Sequence, residues 1–164
     1  MTKLALVQKS PVFLNTKKSV AKAIKYIHEA AESSADIIVF GEGWLSGYPA
    51  WIDYSINMGR WDQKEIKEVW AQMYEDGIEI PGAQISKIQH AAKVTNKYVV
   101  IGANEAVKKG KGNGTLYNTL LIIDPTGEIV IHHRKLMPTY NEKMIHGYGD
   151  AHGLKTLATP HGNI

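Results

Sequence analysis

The chain of 164 residues contains no cysteine, which excludes disulfide bonds and metal sites built from thiolates. It has no apolar run long enough to cross a membrane. The apolar stretch near the N-terminus, residues 4–7, is too short for the hydrophobic core of a signal peptide. We therefore expect a cytoplasmic protein without a membrane partner.

The chain also has no large excess of charge of one sign. Its 19 lysines and arginines are offset by 16 acidic residues, which leaves a formal charge of +3. The charges are scattered along the chain and no aromatic platform accompanies the basic cluster at 132–135, so a nucleic-acid-binding surface is disfavoured. The apolar fraction of 44% and the charged fraction of 21% are ordinary for one globular domain with its own core.

The first forty residues predict a strand, a helix and a second strand. Residues 3–8 and 37–40 are short apolar runs typical of strands buried on both faces. Between them, Asn15 is a suitable N-cap for a helix whose apolar side chains recur at helical spacing. This order indicates a βαβ unit and an α/β fold.

The rest of the chain continues this pattern. The segment from Gly41 to Asp62 lacks periodicity and predicts a long loop, a kind of segment that tends to carry function. Two helical stripes follow, and then three strands near 98–104, 116–123 and 128–133 with short connections, which indicate an antiparallel or mixed part of the sheet.

Three charged residues lie at or shortly after the ends of predicted strands. Glu42 comes directly after the second strand, where open α/β sheets bind ligands, and burial there would desolvate a carboxylate suited to act as a general base. Lys135 follows the last strand in the same way and could stabilise a developing negative charge. Glu142 lies seven residues further on. Each has a simpler alternative as a solvated charge, and spacing alone does not establish that the three converge.

Four aromatic residues in the long loop, Trp44, Tyr48, Trp51 and Tyr54, either line a substrate pocket or anchor the loop to the core. The sequence leaves these two alternatives equal. His146 and His152 lack the spacing and the carboxylate partners of a metal site, so we expect no metal.

Several motifs in this order resemble the nitrilase superfamily of carbon–nitrogen hydrolases. The Phe-Gly-Glu sequence at 40–42 followed by Gly-Tyr-Pro at 47–49 is similar to the first glutamate motif of that family. The segments at 116–119 (Leu-Tyr-Asn-Thr), 124–127 (Asp-Pro-Thr-Gly) and 133–139 (His-Arg-Lys-Leu-Met-Pro-Thr) are similar to the approach to its lysine. Glu142 and the Gly-Tyr-Gly-Asp at 147–150 resemble its second glutamate motif. The Lys-Leu-Met-Pro-Thr form resembles nitrilases more than amidases or carbamoylases.

The resemblance implies a fold and a mechanism. The fold would be a four-layer αββα sandwich that assembles into dimers or spirals. A cysteine thiolate would attack a nitrile, with Glu42 as general base, Lys135 stabilising the tetrahedral species and Glu142 positioning groups, and without any cofactor. Asn141 and His146 stand where the family often has His and Trp, which makes them candidates, with Trp44, Tyr48 and Tyr54, for a pocket that takes a small nitrile or amide.

The missing cysteine determines the remaining expectations. In the family it follows a segment like Gly-Asn-Ile at 162–164, so residues 1–164 would be the N-terminal part of the domain and the nucleophile would lie beyond Ile164. The partner of this chain would then be the C-terminal half of the same fold, and the chain alone would be inactive. Two alternatives stay open: an amidase or carbamoylase of the same superfamily, and a non-catalytic assembly or binding module.

Overall fold

The computed structural model describes residues 1–60 and 62–164. Its main element is a five-stranded mixed sheet. Its strands lie in chain order, with β1 to β3 parallel and β4 antiparallel to both of its neighbours. The carboxyl ends of β2 and β5 therefore meet at the same edge of the sheet. The mixed α/β arrangement expected from the sequence is confirmed. The strands are β1 (Leu4–Val7), β2 (Ile37–Phe40), β3 (Tyr98–Val107), β4 (Thr115–Ile123) and β5 (Ile129–Arg134).

The described residues form three α-helices, α1 (Thr16–Glu32), α2 (Lys64–Asp76) and α3 (Ala83–Thr95). Asn15 caps α1 as predicted, because its Oδ1 accepts a hydrogen bond from the Lys18 amide at 3.0 Å. Helices α1 and α3 pack on one face of the sheet, where their apolar stripes meet alternate side chains of the strands. Among the side chains buried there are Ile27, Ile38, Ile88 and Ile101.

The opposite face of the sheet is partly uncovered, which corrects one expectation. The prediction that β1 is buried on both faces is wrong, because Leu4 is 62% exposed and Leu6 is 66% exposed. Ala5 and Val7, which alternate with them, pack towards the helices. In the part of the chain that the structure describes, no helix covers the face that Leu4 and Leu6 occupy, so these two side chains stay exposed.

A two-stranded hairpin, β6 (Ala158–Thr159) and β7 (Gly162–Asn163), forms a second, smaller sheet. His161 at its turn packs edge-on against Tyr98 of β3, with ring centroids 5.9 Å apart. Its Nδ1 also lies 4.0 Å from Asp36 Oδ2. The hairpin thus packs against the five-stranded sheet through His161.

The long loop after β2 contains a short 3-10 turn, Ala50–Asp53, and its N-terminal part runs beside β3. Trp61, which falls within the predicted loop, lies outside the described residues. A second apolar cluster joins this loop to α2, to the C-terminal end of β3 and to the N-terminal end of β4. Its buried members include Ile52 of the loop, Met73 of α2, Leu116 of β4 and Ile145. Among the described residues, no helix is both long and apolar enough to span a bilayer.

Candidate active site

Three charged side chains that are distant in sequence meet at the edge where β2 and β5 end. The Lys135 ammonium lies 2.8 Å from Glu42 Oε1 and 2.8 Å from Glu142 Oε2. Glu42 follows β2, Lys135 follows β5, and Glu142 belongs to a 3-10 turn, Tyr140–Met144. The structure therefore brings together the three residues that the sequence singled out.

Lys135 is held as a cation between two carboxylates. Burial alone lowers the pKa of Lys135, but its hydrogen bonds to Glu142 and Glu42 outweigh burial and raise that pKa above its ordinary value. Its backbone amide donates to the carbonyl of Asn118 at 2.8 Å, which extends the β4–β5 ladder to this residue. A fixed ammonium at a strand end is suited to stabilise negative charge on a bound substrate.

Glu142 is only 2% exposed and has three donors. Its Oε1 accepts from the Tyr48 hydroxyl at 2.6 Å, and its Oε2 accepts from Lys135 and from the Thr139 amide in a capping box. Burial raises the pKa of Glu142, but the hydrogen bonds from Lys135, Tyr48 and Thr139 prevail and lower it. The group therefore remains a buried carboxylate that orients its donors.

Tyr48 remains a phenol at this position. Burial raises the pKa of Tyr48, and the hydrogen bond to the Glu142 carboxylate raises it further. Its hydroxyl can then only donate to Glu142, which ties the loop after β2 to the turn that carries Glu142.

Glu42 differs from the expectation of a desolvated base. Its side chain is 51% exposed. Oε1 accepts from Lys135 and, at 2.6 Å, from the Asn118 side-chain amide, while Oε2 has no protein donor among the hydrogen bonds found in the described part of the chain. A cavity of about 220 Å³ lies beside this group. It is lined by Glu42, Gly102, Asn118, Thr119, Leu120, His133 and Lys135.

The backbone of β3 lies directly beneath the Glu42 loop, and Gly102 makes this approach possible. A Cβ at Gly102 would lie 2.5 Å from the Gly41 carbonyl oxygen and 2.6 Å from the Gly43 nitrogen. The Leu45 amide also donates to the Gly102 carbonyl at 2.9 Å. The absence of a side chain at 102 therefore determines how closely Glu42 can sit to the sheet.

We predict that Gly102→Ala destabilises the protein by roughly 1–3 kcal/mol, because the added methyl group meets backbone that has to shift. Urea denaturation measures the change. Gly59→Ala is a matched control, since a Cβ at Gly59 meets no atom within 4 Å. Equal stability of the two variants would contradict this account of the loop.

Two asparagines near this centre were not predicted as site residues. Asn104 of β3 donates to Ser46 Oγ at 2.9 Å and to the Gly47 carbonyl at 2.7 Å, and Asn118 of β4 donates to Glu42. Asparagine is depleted in strands, so an asparagine within each predicted strand, at the end of 98–104 and inside 116–123, was the available signal.

The pocket candidates from the sequence occupy different places. Trp44 is buried, packs edge-on against Phe40 and donates from Nε1 to the Lys9 carbonyl at 2.7 Å, which favours an anchor in the core over a pocket wall. Trp51 is partly buried against the second apolar cluster. Tyr54 is 87% exposed and contacts none of the three charged groups by a hydrogen bond found in the described chain.

Asn141 and His146 flank Glu142. Asn141 lies beside it in the 3-10 turn and its amide is 3.4 Å from Asp53 Oδ1. His146 is buried, and its Nε2 lies 2.9 Å from Asn104 Oδ1. Burial lowers the pKa of His146 to about 4, so its ring is neutral near neutral pH. Residues 1–60 and 62–164 hold no group of three or more metal-ligating side chains.

Comparisons with known proteins identify the family to which this chain is similar. The family model for carbon–nitrogen hydrolases matches residues 3–164. Nitrilase 1 of Arabidopsis thaliana is 33% identical over 162 residues, which are 99% of this chain and 45% of that protein. An aliphatic nitrilase of Sinorhizobium fredii (strain HH103) is 35% identical over 166 residues, covering 100% of this chain and 52% of its own length. The chain thus spans about half the length of these relatives.

A solved structure shares the fold. The NitN amidase from Nesterenkonia sp. AN1 superposes with a TM-score of 0.66 at 15% identity, over 99% of this chain and 55% of that one. The fold is accordingly half of an αββα sandwich of the nitrilase type, as the sequence motifs implied.

Proposed function

This chain belongs to the carbon–nitrogen hydrolase family, and from that membership we propose that it is the N-terminal part of an enzyme that hydrolyses nitriles. The observation that carries the proposal is the Lys135 ammonium held at 2.8 Å from both Glu42 and Glu142. The relatives named nitrilases, at 33% and 35% identity, support a nitrile as the substrate.

In the proposed reaction, each of the three residues has a separate role. A cysteine from beyond Ile164 supplies the thiol, and the Glu42 carboxylate takes its proton through Oε2, the oxygen not engaged by Lys135 or Asn118. The thiolate then adds to the nitrile carbon, a C–S bond forms as one C–N π bond breaks, and the nitrogen takes up a proton to give a thioimidate.

Lys135 stabilises the negative charge that develops as the thiolate and then water add to that carbon. Addition of one water expels ammonia and leaves an acyl-enzyme thioester. A second water releases the carboxylic acid and returns the thiol. Glu142 reacts with no substrate atom in this scheme but keeps Lys135 charged and aimed at the reacting carbon.

The uncovered sheet face supports a missing second half. Leu4 and Leu6 are exposed there, and the β6–β7 hairpin already packs on the same face near Tyr98. We propose that the rest of the domain covers this face, which would also desolvate Glu42. The cytoplasmic location and the assembly into dimers or spirals expected from the sequence remain predictions.

The test compares residues 1–164 with the longer protein, meaning the product of the gene read past Ile164. We predict that the longer protein releases ammonia from aliphatic or aromatic nitriles, and that highly purified residues 1–164 release none. Cysteine-to-serine replacement of the nucleophile in the longer protein is the control and should abolish turnover.

Three outcomes would change this proposal. Nitrile turnover by residues 1–164 alone would contradict the cysteine mechanism. Turnover of amides without nitriles would favour the amidase or carbamoylase alternative. A reading frame that stops after Ile164 would favour a binding or assembly module.

A further inference from the structure

Two buried asparagines face each other across the centre of the sheet. Asn104 of β3 pairs directly with Asn118 of β4 in the strand register, and both are buried. A buried amide in a strand is costly unless its hydrogen bonds are made. The hydrogen bonds found for these two side chains go to the loop and the segment that carry the candidate catalytic residues, and this placement is the basis of the inference.

Asn118 determines the direction of the Glu42 carboxylate. Its Nδ2 donates to Glu42 Oε1 at 2.6 Å, the same oxygen that accepts from Lys135 at 2.8 Å. Because Glu42 is half exposed in this chain, these two donors are what restrict its side chain. With Oε1 engaged, Oε2 is left directed away from both donors.

Asn104 holds the other end of the same loop. Its Nδ2 binds Ser46 Oγ and the Gly47 carbonyl, at two residues whose φ angles are +79° and +97°. Positive φ at a serine is unfavourable and persists where surrounding contacts enforce it. The next residue is Tyr48, whose hydroxyl binds Glu142.

Asn104 also contacts the Glu142 segment through His146. The Gly47 carbonyl can only accept, so it identifies the Asn104 amide nitrogen, and Oδ1 is then the acceptor for the proton on His146 Nε2. The His146 backbone amide in turn donates to the Glu142 carbonyl at 2.8 Å. One side chain thus connects the loop that bears Glu42 and Tyr48 with the turn that bears Glu142.

We propose that Asn104 and Asn118 are positioning residues of this centre, a cross-strand pair that fixes both ends of the loop at 42–48 relative to Lys135 and Glu142. This inference rests on the proposed function. Neither asparagine takes part in a bond-making step. Asn118 acts through Glu42, and Asn104 acts through Tyr48 and the Glu142 turn.

The kinetic test of Asn118 uses the longer protein with a nitrile substrate. We expect Asn118→Ala to lower kcat roughly 10–100-fold with a smaller change in KM, as is typical when a partner that orients an active group is removed. Asn118→Asp places a second carboxylate beside Glu42, so it should lower kcat similarly and also move the acidic limb of the pH–rate profile upward by about one pH unit. A residue that only supports the fold would not move that limb.

The test of Asn104 is a double-mutant cycle with Tyr48. If Asn104 acts through Tyr48, then Tyr48→Phe lowers kcat in the unmodified enzyme and changes it little further in the Asn104→Ala variant. Independent, multiplicative effects of the two substitutions would overturn this part. For the Asn118→Asp variant, Asn113→Asp is the matched control, because it makes the same chemical change in an exposed loop, and it should leave kcat, KM and the pH profile unchanged.

A spectroscopic test separates this inference from the proposed function. In residues 1–164, Glu42→Gln should shift the side-chain amide resonances of Asn118 and leave those of Asn104 in place, because only Asn118 bonds that carboxylate. If the longer protein is inactive, the proposed function is refuted. The amide resonances of Asn118 then still test its positioning role. Unchanged Asn118 resonances, or wild-type kcat in both Asn118 variants, would overturn the positioning role.

Discussion

Replacing Lys135 by methionine should lower kcat of the longer protein by roughly 10²–10³-fold, the loss typical of removing one donor that stabilises transition-state charge. Methionine keeps much of the apolar stem and removes the ammonium. The substitution also leaves Glu42 and Glu142 without the cation between them, at 2.8 Å from each. Steady-state kinetics with a nitrile measures the effect, and we expect a larger change in kcat than in KM.

Lys143→Met is the matched control for this prediction, since Lys143 is exposed in the same 3-10 turn as Glu142 and should tolerate the change. Lys135→Arg should also lose most of the activity, because a planar guanidinium cannot reproduce the point contact that one ammonium makes with two carboxylates. Comparable turnover in Lys135→Met and Lys143→Met would remove Lys135 from the proposed mechanism.

Replacing Glu105 by glutamine should have the largest effect on stability, with a loss of roughly 3–5 kcal/mol in the free energy of unfolding. Glu105 is 2% exposed on β3 and accepts hydrogen bonds from Thr119 at 2.7 Å and from Arg134 Nε at 3.0 Å, with His132 Nε2 at 2.9 Å. The Arg134 guanidinium also stacks 4.1 Å from the centre of the Tyr117 ring. The amide of glutamine leaves this cation without its counter-charge.

Glu29→Gln makes the same change in an exposed ion pair and is the control. Lys25 and Glu29 are 3.6 Å apart with side chains 69% and 54% exposed, so their separation should cost only about 0–1 kcal/mol. Urea denaturation at neutral pH compares the two variants. A similar loss in both would mean that the buried network contributes no more than a surface pair.

The pH dependence of stability gives an independent check on Glu105. Burial raises the pKa of Glu105, but the hydrogen bonds from His132, Arg134 and Thr119 outweigh it and lower the pKa from 4.5 to about 2. Because the folded chain binds this proton less readily than the unfolded chain, the carboxylate stabilises the fold above pH 4.5, and that contribution is lost as the pH falls towards about 2. The Glu105→Gln variant should lack this part of the acid dependence.

The Glu105 network and the candidate active site lie on opposite faces of the same strand end. Arg134 and Lys135 are consecutive, and successive side chains of a strand point to opposite faces. Glu105 therefore holds β5 from one side while Lys135 reaches Glu42 and Glu142 on the other. Arg134 lay in the motif at 133–139 without an assigned role, and Glu105 had no distinguishing pattern in the sequence, since a charged residue in a strand is usually solvated.

Several features could be read from short segments because they depend on local periodicity. The βαβ start, the Asn15 cap and the mixed sheet from β3 to β5 follow from alternation, helical spacing and turn residues. The same local reasoning failed at β1, because whether Leu4 and Leu6 are buried depends on a layer that no local pattern describes. It also left Trp44 undecided between a pocket wall and a core anchor.

By itself, the sequence determined which residue types are available and in what order: two glutamates and a lysine in motifs of a carbon–nitrogen hydrolase, and no cysteine. Only the tertiary structure decided that Lys135 bridges Glu42 and Glu142, and that Asn104 and Asn118 hold the loop between β2 and the 3-10 turn 50–53. The physical reason is that these contacts join residues up to 93 positions apart. Strand order, register and the approach of the loop over Gly102 set such distances, and none of the three is encoded in a local pattern.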